Sequence, residues 1–295
     1  MNKPVLSVQD LAVRFTSRTG GLLQSKEREV RAVDGVGFGV APGEILGFLG
    51  PNGAGKSTTI KMLTGILMPT AGRISVMGRE PFRQRVANAA EIGVVFGQRT
   101  QLWWDLPLIE SLNLIGRIYQ VEPDRFRQLL DEFSDSLELS ELLRVPTRQL
   151  SLGQKMRAEL AATLIHEPRV VYLDEPTIGL DLIVKERIRE FIKRQNRERG
   201  ATVMLTTHDL GDIEELCKRV IIIDAGKLIY DGPLAAIEER FGSYRTITFD
   251  VAGTTAGLDL PAGAELVGRP EKRRVVLRFD RSRTSASRSA EAFIS

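Results

Sequence analysis

The stretch Gly50-Pro51-Asn52-Gly53-Ala54-Gly55-Lys56-Ser57-Thr58 decides the fold. It fits the pattern G-x-x-x-x-G-K-[ST], which marks a loop that binds phosphate groups. The apolar residues 44–49 before it predict a buried strand, and residues 59–63 after it predict a helix. Glycines let the backbone N–H groups converge on an anion, and the start of the helix adds partial positive charge. The local order strand, loop, helix is therefore the one that a true phosphate loop requires.

Two side chains of this loop carry the expected chemistry. Lys56 is placed to meet the β- and γ-phosphates of a nucleotide, and the hydroxyl of Ser57 suits Mg²⁺. The alternative is a glycine-rich turn that binds nothing. The strand and the helix that flank the loop favour nucleotide binding over that alternative.

Composition narrows the class of protein. The chain has 295 residues, of which 42% are hydrophobic, which suits one large domain and a small one. Its net charge of +3 is too small to indicate nucleic-acid binding by itself. A single cysteine, Cys217, excludes an intramolecular disulfide and a cysteine-rich metal site. No signal peptide and no run of about 20 apolar residues is evident, so we expect a soluble chain.

The rest of the sequence predicts an α/β fold. Residues 5–15 and 30–40 have strand patterns and indicate an antiparallel patch, with residues 16–29 as an exposed excursion between them. Short strands are predicted at residues 72–77, 92–96, 170–173, 202–205 and 220–223. Helical spacing covers residues 105–167 and 182–199. Strands that alternate with helices predict a mostly parallel sheet, with residues 105–167 as a helical insertion.

An acidic pair follows one of the predicted strands. Asp174 and Glu175 come directly after the apolar residues 170–173. In nucleotide hydrolases with a phosphate loop, the first carboxylate holds Mg²⁺, usually through water, and the second polarises the attacking water as general base. The alternatives are a helix cap at Asp174 and a solvated charge at Glu175.

Three further polar residues stand at the ends of predicted elements. Ser151 begins a helix, where it could be an ordinary N-cap or part of an anion site. Gln98 and His208 each follow a strand, and His208 lies on the side where α/β sheets bind ligands. A purely structural histidine is the alternative for His208.

Together these motifs resemble the ATP-binding subunit of ABC transporters over about residues 5–240. The motifs, in the family's order, are the phosphate loop at residues 50–58, the Q-loop glutamine Gln98, the signature at residues 150–154, the second Walker motif Asp174-Glu175, the D-loop Gly179-Leu180-Asp181 and the switch histidine His208. Residues 97–107 resemble an exporter-like, ABC-2-type branch with separate membrane subunits. One departure is Leu152, which stands in the signature where the usual residue is glycine.

The resemblance implies a P-loop NTPase core with a mostly parallel sheet, an antiparallel β subdomain and a helical subdomain. We expect an ATPase domain over residues 1–240, with the helical subdomain at about 100–167. A small β-rich accessory segment would cover residues 241–281, and a disordered tail residues 282–295.

The resemblance also implies ATP and Mg²⁺ as ligands and assigns site residues. The catalytic set would be Glu175, His208, Gln98 and Lys56, and the Mg²⁺ set Ser57, Gln98 and Asp174. ATP would be bound within the chain by Phe15, Gly50, Asn52, Gly53, Gly55, Lys56, Ser57 and Thr58. Ser151 and the N–H of Gly153 would touch the γ-phosphate of ATP held by a partner, and Gln154 and Asp181 also belong to the ATP-binding set. Phe15 matches the aromatic residue that stacks on adenine, and the alternative for it is an ordinary core residue of a strand.

The resemblance further implies how the chain works with partners. Two such cassettes, identical or different, would stack head to tail with ATP between them, next to integral membrane subunits at the cytoplasmic face of the membrane. No nucleic acid is expected. Two alternatives stay open at this point: a soluble ABC-type ATPase that acts on nucleic acid or ribosomes, and the ATPase of an import system. The cargo cannot be read from this chain, because its selectivity would lie in the membrane subunits.

Overall fold

The computed structural model describes residues 3–19, 26–97, 99–241, 244–250, 264–271 and 274–280. The chain separates into two compact units, Met1–Gly232 and Pro233–Ser295. The expected domain limits, with a boundary near residue 240, stay a prediction.

Twelve strands and eight α-helices are found in the described ranges. The strands are β1 (Leu6–Thr19), β2 (Lys26–Val40), β3 (Ile45–Leu49), β4 (Ala71–Val76), β5 (Ile92–Phe96), β6 (Val170–Asp174), β7 (Thr202–Thr206), β8 (Arg219–Asp224), β9 (Lys227–Pro233), β10 (Tyr244–Asp250), β11 (Ala264–Glu271) and β12 (Arg274–Asp280). The helices are α1 (Lys56–Leu63), α2 (Arg85–Ala89), α3 (Leu108–Ile118), α4 (Pro123–Leu137), α5 (Leu152–Leu164), α6 (Leu182–Arg199), α7 (Leu210–Leu216) and α8 (Leu234–Phe241).

The central sheet has six strands in the order β5-β6-β7-β3-β8-β9. The pairs from β5 to β8 are parallel, as the alternation of strands and helices predicts. The five residues of β7 are all buried, because helices cover both faces of such a sheet. Since parallel strands end at one edge, the loops after β3, β6 and β7 meet there, and this edge carries the functional site.

A second sheet of three antiparallel strands has the order β2-β1-β4. The pairing of β1 with β2 runs from Leu6↔Val40 to Thr19↔Lys26. The expectation that all of residues 16–29 form an excursion outside the strands was therefore wrong. Antiparallel pairing satisfies the backbone groups of a polar strand as well as those of an apolar one, so the hairpin continues to Thr19 and resumes at Lys26.

The helical insertion lies between β5 and β6, as the sequence predicts, and contains α3, α4 and α5. Its helices bury Leu112 of α3, Phe133 of α4 and Leu160 of α5, each with no exposed surface. Phe133 packs edge-on against Phe191 of α6, with 5.2 Å between the ring centroids. The insertion is thus joined to the core that carries the site through an apolar contact.

The second unit contains a three-stranded antiparallel sheet in the order β10-β12-β11. All three strands fall within residues 241–281, for which the sequence predicts a small β-rich segment. The expected disordered tail at residues 282–295 lies outside the described residues. Among the helices that the structure describes, none has both the length and the apolar character needed to cross a bilayer.

Candidate nucleotide-binding and hydrolysis site

The phosphate loop connects β3 to α1 and depends on glycine at two crowded positions. Gly50 has φ of 149°, and a Cβ atom there would lie 2.1 Å from the carbonyl oxygen of Ile223. Gly55 has φ of 108°, and a Cβ atom there would lie 2.4 Å from the carbonyl oxygen of Ala32. Any side chain at either position would collide with backbone, so the loop can keep this shape only with glycine.

The side chain of Lys56, at the end of the phosphate loop, reaches back to the residues at its start. Its side chain is buried, and Nζ donates hydrogen bonds to the carbonyl oxygens of Gly50 at 2.6 Å and Pro51 at 3.2 Å. A positive charge with little water around it attracts phosphate oxygens more strongly than a solvated one. The contacts therefore hold the ammonium group where a nucleotide would place its phosphates.

Asp174 ends β6 and is oriented by two hydroxyl groups. Ser57 Oγ donates to Asp174 Oδ2 at 2.9 Å, and Thr206 Oγ1 donates to Asp174 Oδ1 at 2.6 Å. A carboxylate beside a hydroxyl is the hard oxygen donor set that suits Mg²⁺, which commonly uses one or two protein carboxylates together with substrate phosphates and water. Ser57 Oγ and Asp174 Oδ2 would leave the remaining Mg²⁺ positions to substrate phosphates and water.

Glu175 follows Asp174 in a strained backbone conformation. Its φ is 57°, which is uncommon for a residue with a side chain and is a feature of functional sites. Its backbone N–H donates to the carbonyl oxygen of Thr206 at 3.0 Å and contacts Thr206 Oγ1 at 3.2 Å. Burial raises the pKa of the Glu175 carboxyl group, while the nearby His208 and Lys56 oppose this rise. The carboxylate is thus a stronger base than a solvated one.

His208 connects the acidic pair to the phosphate loop. Its Nε2 lies 3.0 Å from Glu175 Oε1 and 3.0 Å from Asn52 Oδ1. Both neighbours are acceptors, so the proton belongs on Nε2 and is shared between them. The contact with Glu175 supports a functional role for His208, and that role stays a prediction.

The phosphate loop and the acidic pair line one cleft of about 470 Å³, while His208 lines a second pocket that shares Glu175 with it. The expected site residues that line the cleft are Asn52, Gly53, Gly55, Lys56, Ser57, Thr58, Asp174 and Glu175. Ile66 and Arg99 also line it and were not expected from the sequence. Thr206 was missed as well, although its position directly before Thr207-His208 at the end of a strand was the available signal.

Phe15, an expected ATP-binding residue, is not among the residues that line the cleft. Phe15 on β1 is 42% exposed, so the alternative of an ordinary core residue was wrong and its ring is free to stack on a base. Gln98 lies outside the described residues, so its assignment to catalysis and Mg²⁺ stays a prediction.

The signature and D-loop residues do not line the cleft of their own chain. Ser151 caps α5 in a reciprocal capping box, with 3.3 Å from Gln154 N to Ser151 Oγ and 2.8 Å from Ser151 N to Gln154 Oε1. Asp181 caps α6 by accepting from Val184 N at 2.9 Å. Within this chain these residues are helix caps, and their contact with ATP of a partner stays a prediction, as does that of Gly153.

Leu152 stands where the usual signature has glycine, and its side chain is accommodated next to Gly179 of the D-loop. Its side chain is 54% exposed, and its Cδ2 atom lies 3.3 Å from where a Cβ atom of Gly179 would be. A Cβ atom at Gly153 would lie 3.5 Å from Val184 Cγ1 and 3.9 Å from Leu180 Cδ2. The signature therefore abuts the D-loop of the same chain, with glycine at position 179 leaving room for Leu152.

The fold and the cleft define a P-loop nucleotide hydrolase. Residues 33–178 match the family model described as ABC transporter. The chain is 39% identical over 217 residues to Nod factor export ATP-binding protein I of Neorhizobium galegae, over 73% of this chain and 62% of that protein. It is 33% identical over 216 residues to ABC transporter ATP-binding protein NatA of Bacillus subtilis (strain 168), over 73% of this chain and 87% of that protein.

A solved structure described as the ATP binding subunit of an ABC transporter agrees with these matches. It superposes with a TM-score of 0.70 at 28% identity, over 81% of this chain and 93% of that chain. The chain therefore belongs to the ABC transporter family and is an ATP-binding, ATP-hydrolysing member of it. The resemblance drawn from the ordered motifs is confirmed.

Proposed function

We propose that this chain is the ATP-hydrolysing subunit of an export system and drives transport through separate integral membrane subunits. The observation that carries the hydrolytic part of this proposal is the contact of Glu175 with His208 beside the phosphate loop, at 3.0 Å. The name of the relative in Neorhizobium galegae, an ATP-binding protein of Nod factor export, supports the direction of transport. The cargo is set by the membrane subunits and is not assigned.

The cleft residues divide the binding of ATP between them. Lys56 holds the β- and γ-phosphates, together with the backbone N–H groups at the start of α1. Ser57 and Asp174 hold Mg²⁺, which supplies charge neutralisation on the phosphate oxygens. Phe15, which is exposed on β1 and is not among the residues that line the cleft, stacks on the adenine ring.

Hydrolysis needs a base, and Glu175 takes that role. Its carboxylate accepts a proton from water while the water oxygen forms a bond to the γ-phosphorus and the bond to the ADP oxygen breaks. His208 donates its Nε2–H to Glu175 and Asn52, which fixes the base relative to the phosphate loop. Gln98 completes the catalytic set by family resemblance.

A second copy of the chain, or a related one, completes each site. Large apolar side chains around the signature and the D-loop are 49% to 74% exposed, namely Leu152, Ile178, Leu182, Ile183 and Leu210. Exposed apolar side chains of this size in one region are typical of an interface. Ser151, Gly153, Gln154 and Asp181 lie in the same region, so closure would bring the start of α5 towards the γ-phosphate of the partner's ATP.

As a subunit of such a system, the chain lies at the cytoplasmic face of the membrane and is held there by its membrane partners. We would purify the tagged full-length chain from detergent extracts and identify what accompanies it. We expect an integral membrane protein with several spanning helices, and no enrichment of ribosomes or nucleic acid over a tag-only control. Recovery of ribosomes or nucleic acid without any membrane protein would overturn the assignment to transport.

A further inference from the structure

A buried carboxylate outside the cleft joins two of its loops. Asp212 on α7 has no exposed surface. It accepts hydrogen bonds from the hydroxyl groups of Thr177 and Thr207, the latter at 2.9 Å, and from Arg189 Nε of α6 at 2.7 Å. Burying a charge is costly unless it is paired and hydrogen-bonded, and three donors meet that requirement here.

The two hydroxyl groups belong to the loops that carry the proposed catalytic pair. Thr177 follows Glu175 by two residues, and Thr207 directly precedes His208. Both threonines are buried, so neither hydroxyl group can replace its hydrogen bond to Asp212 with one to solvent water. One carboxylate therefore fixes the loop of the base and the loop of the histidine to a common point.

Asp209, the residue after His208, is held by α6, the helix that carries Arg189. Asp209 accepts from Lys185 Nζ of α6 and lies 3.6 Å from Arg189 Nη2. Asp209 also caps α7 by accepting from Gly211 N at 2.9 Å. Helix α6 thus holds both ends of the short segment between His208 and Asp212.

The geometry of the catalytic pair depends on this arrangement. Glu175 and His208 touch only across two separate loops, and a displacement of about 1 Å at a reacting group can cost roughly a hundredfold in rate. We propose that Asp212 is a positioning residue for ATP hydrolysis, which holds the loops of Glu175 and His208 in register through Thr177 and Thr207. The inference rests on the proposed role of Glu175 as base.

The test removes one hydroxyl group without changing shape. In the full-length chain, Thr177→Val should lower kcat for ATP about tenfold or more, because the Glu175 loop loses its bond to Asp212. KM and the Kd of a fluorescent ATP analogue should stay within about twofold, since Thr177 does not line the cleft. Thr177→Ser, which keeps the hydroxyl group, should restore kcat.

Two further variants separate positioning from a general loss of structure. Glu215→Gln breaks the ion pair between Glu215 on α7 and Lys193 on α6, 2.8 Å apart, and reaches neither loop. It should leave kcat unchanged. Thr177→Val added to Glu175→Gln should lower the residual turnover little further, because both changes act on the same step.

The outcomes distinguish this inference from the proposed function. If Glu175→Gln keeps full turnover, the proposed base is wrong. If Glu175→Gln abolishes turnover and Thr177→Val does not change kcat, the positioning role alone fails. A parallel loss of kcat, ATP affinity and Tm in Thr177→Val, with no rescue by serine, would also overturn it.

Discussion

Glu175→Gln is the sharpest perturbation that the site offers. Glutamine keeps the volume of the side chain, and its amide oxygen can still accept from His208 Nε2, 3.0 Å away. What is lost is the basic oxygen. A positioned general base contributes about 10²- to 10⁴-fold in rate, which corresponds to about 2.7 to 5.4 kcal/mol of the barrier. We expect kcat to fall by at least a hundredfold.

Nucleotide binding should survive this change. The negative charge of Glu175 repels that of the adjacent Asp174, and it would also repel the phosphates of ATP. Removing the charge of Glu175 should therefore leave the affinity for ATP unchanged or make it tighter. With ATP bound and no hydrolysis, two copies should stay closed on each other. Phosphate release at saturating ATP, binding of a fluorescent ATP analogue and light scattering in ATP with Mg²⁺ measure the three effects, and the scattering mass should double.

Glu44→Gln is the matched control. The Glu44 side chain is 19% exposed, as is that of Glu175, but it pairs with Arg219 at 3.1 Å and lies outside the cleft. The same chemical change there should leave kcat within about twofold. If Glu175→Gln behaved like this control, the assignment of the base would be refuted. If turnover vanished but the mass stayed that of one chain, the ATP-joined dimer would be refuted instead.

Three other measurements test the site. Lys56→Ala should weaken ATP binding at least tenfold by calorimetry, because a buried ammonium group is lost from the phosphate loop; equal affinity would discredit the loop. Ser151→Ala should lower kcat and leave ATP binding to one chain intact. It should also lower the free energy of unfolding by about 1 kcal/mol, because α5 loses its N-cap. Full activity would show that Ser151 is a helix cap only. Glu175 must be ionised to act as the base, and burial raises its pKa above the ordinary value of 4.5. We therefore expect kcat to fall as the pH is lowered, with a midpoint above pH 4.5. A midpoint at or below pH 4.5 would contradict this assignment.

The parts of the fold that local sequence determines could be predicted. Residues 92–96 and 182–199 form β5 and α6 within the predicted limits, because an apolar run and an amphipathic stripe are properties of a single segment. The continuation of β1 and β2 through polar residues could not be predicted in the same way. It depends on pairing between strands, from Thr16↔Glu29 to Thr19↔Lys26, which no single segment encodes.

The same distinction applies to the site. Lys56, Ser57, Asp174 and Glu175 could be predicted because each stands in a motif with a fixed local context. Asp212 could not, since an aspartate in a short helix is an ordinary residue in sequence, and Thr206 had only its place at a strand end before His208 as a signal. Their roles arise only where β6, β7 and α7 come together.

The environments of three neighbouring carboxylates decide which of them does chemistry. Asp174 is held by the hydroxyl groups of Ser57 and Thr206, and faces the cleft, so it is oriented as a ligand. Asp212 receives three donors and has no exposed surface, so it can neither reach a substrate nor accept its proton. Glu175 faces the cleft, burial raises its pKa, and its Oε1 atom lies 3.0 Å from His208 Nε2. This environment suits a group that must take a proton from water. Three carboxylates thus differ in their proposed roles of ligand, support and base because their surroundings differ.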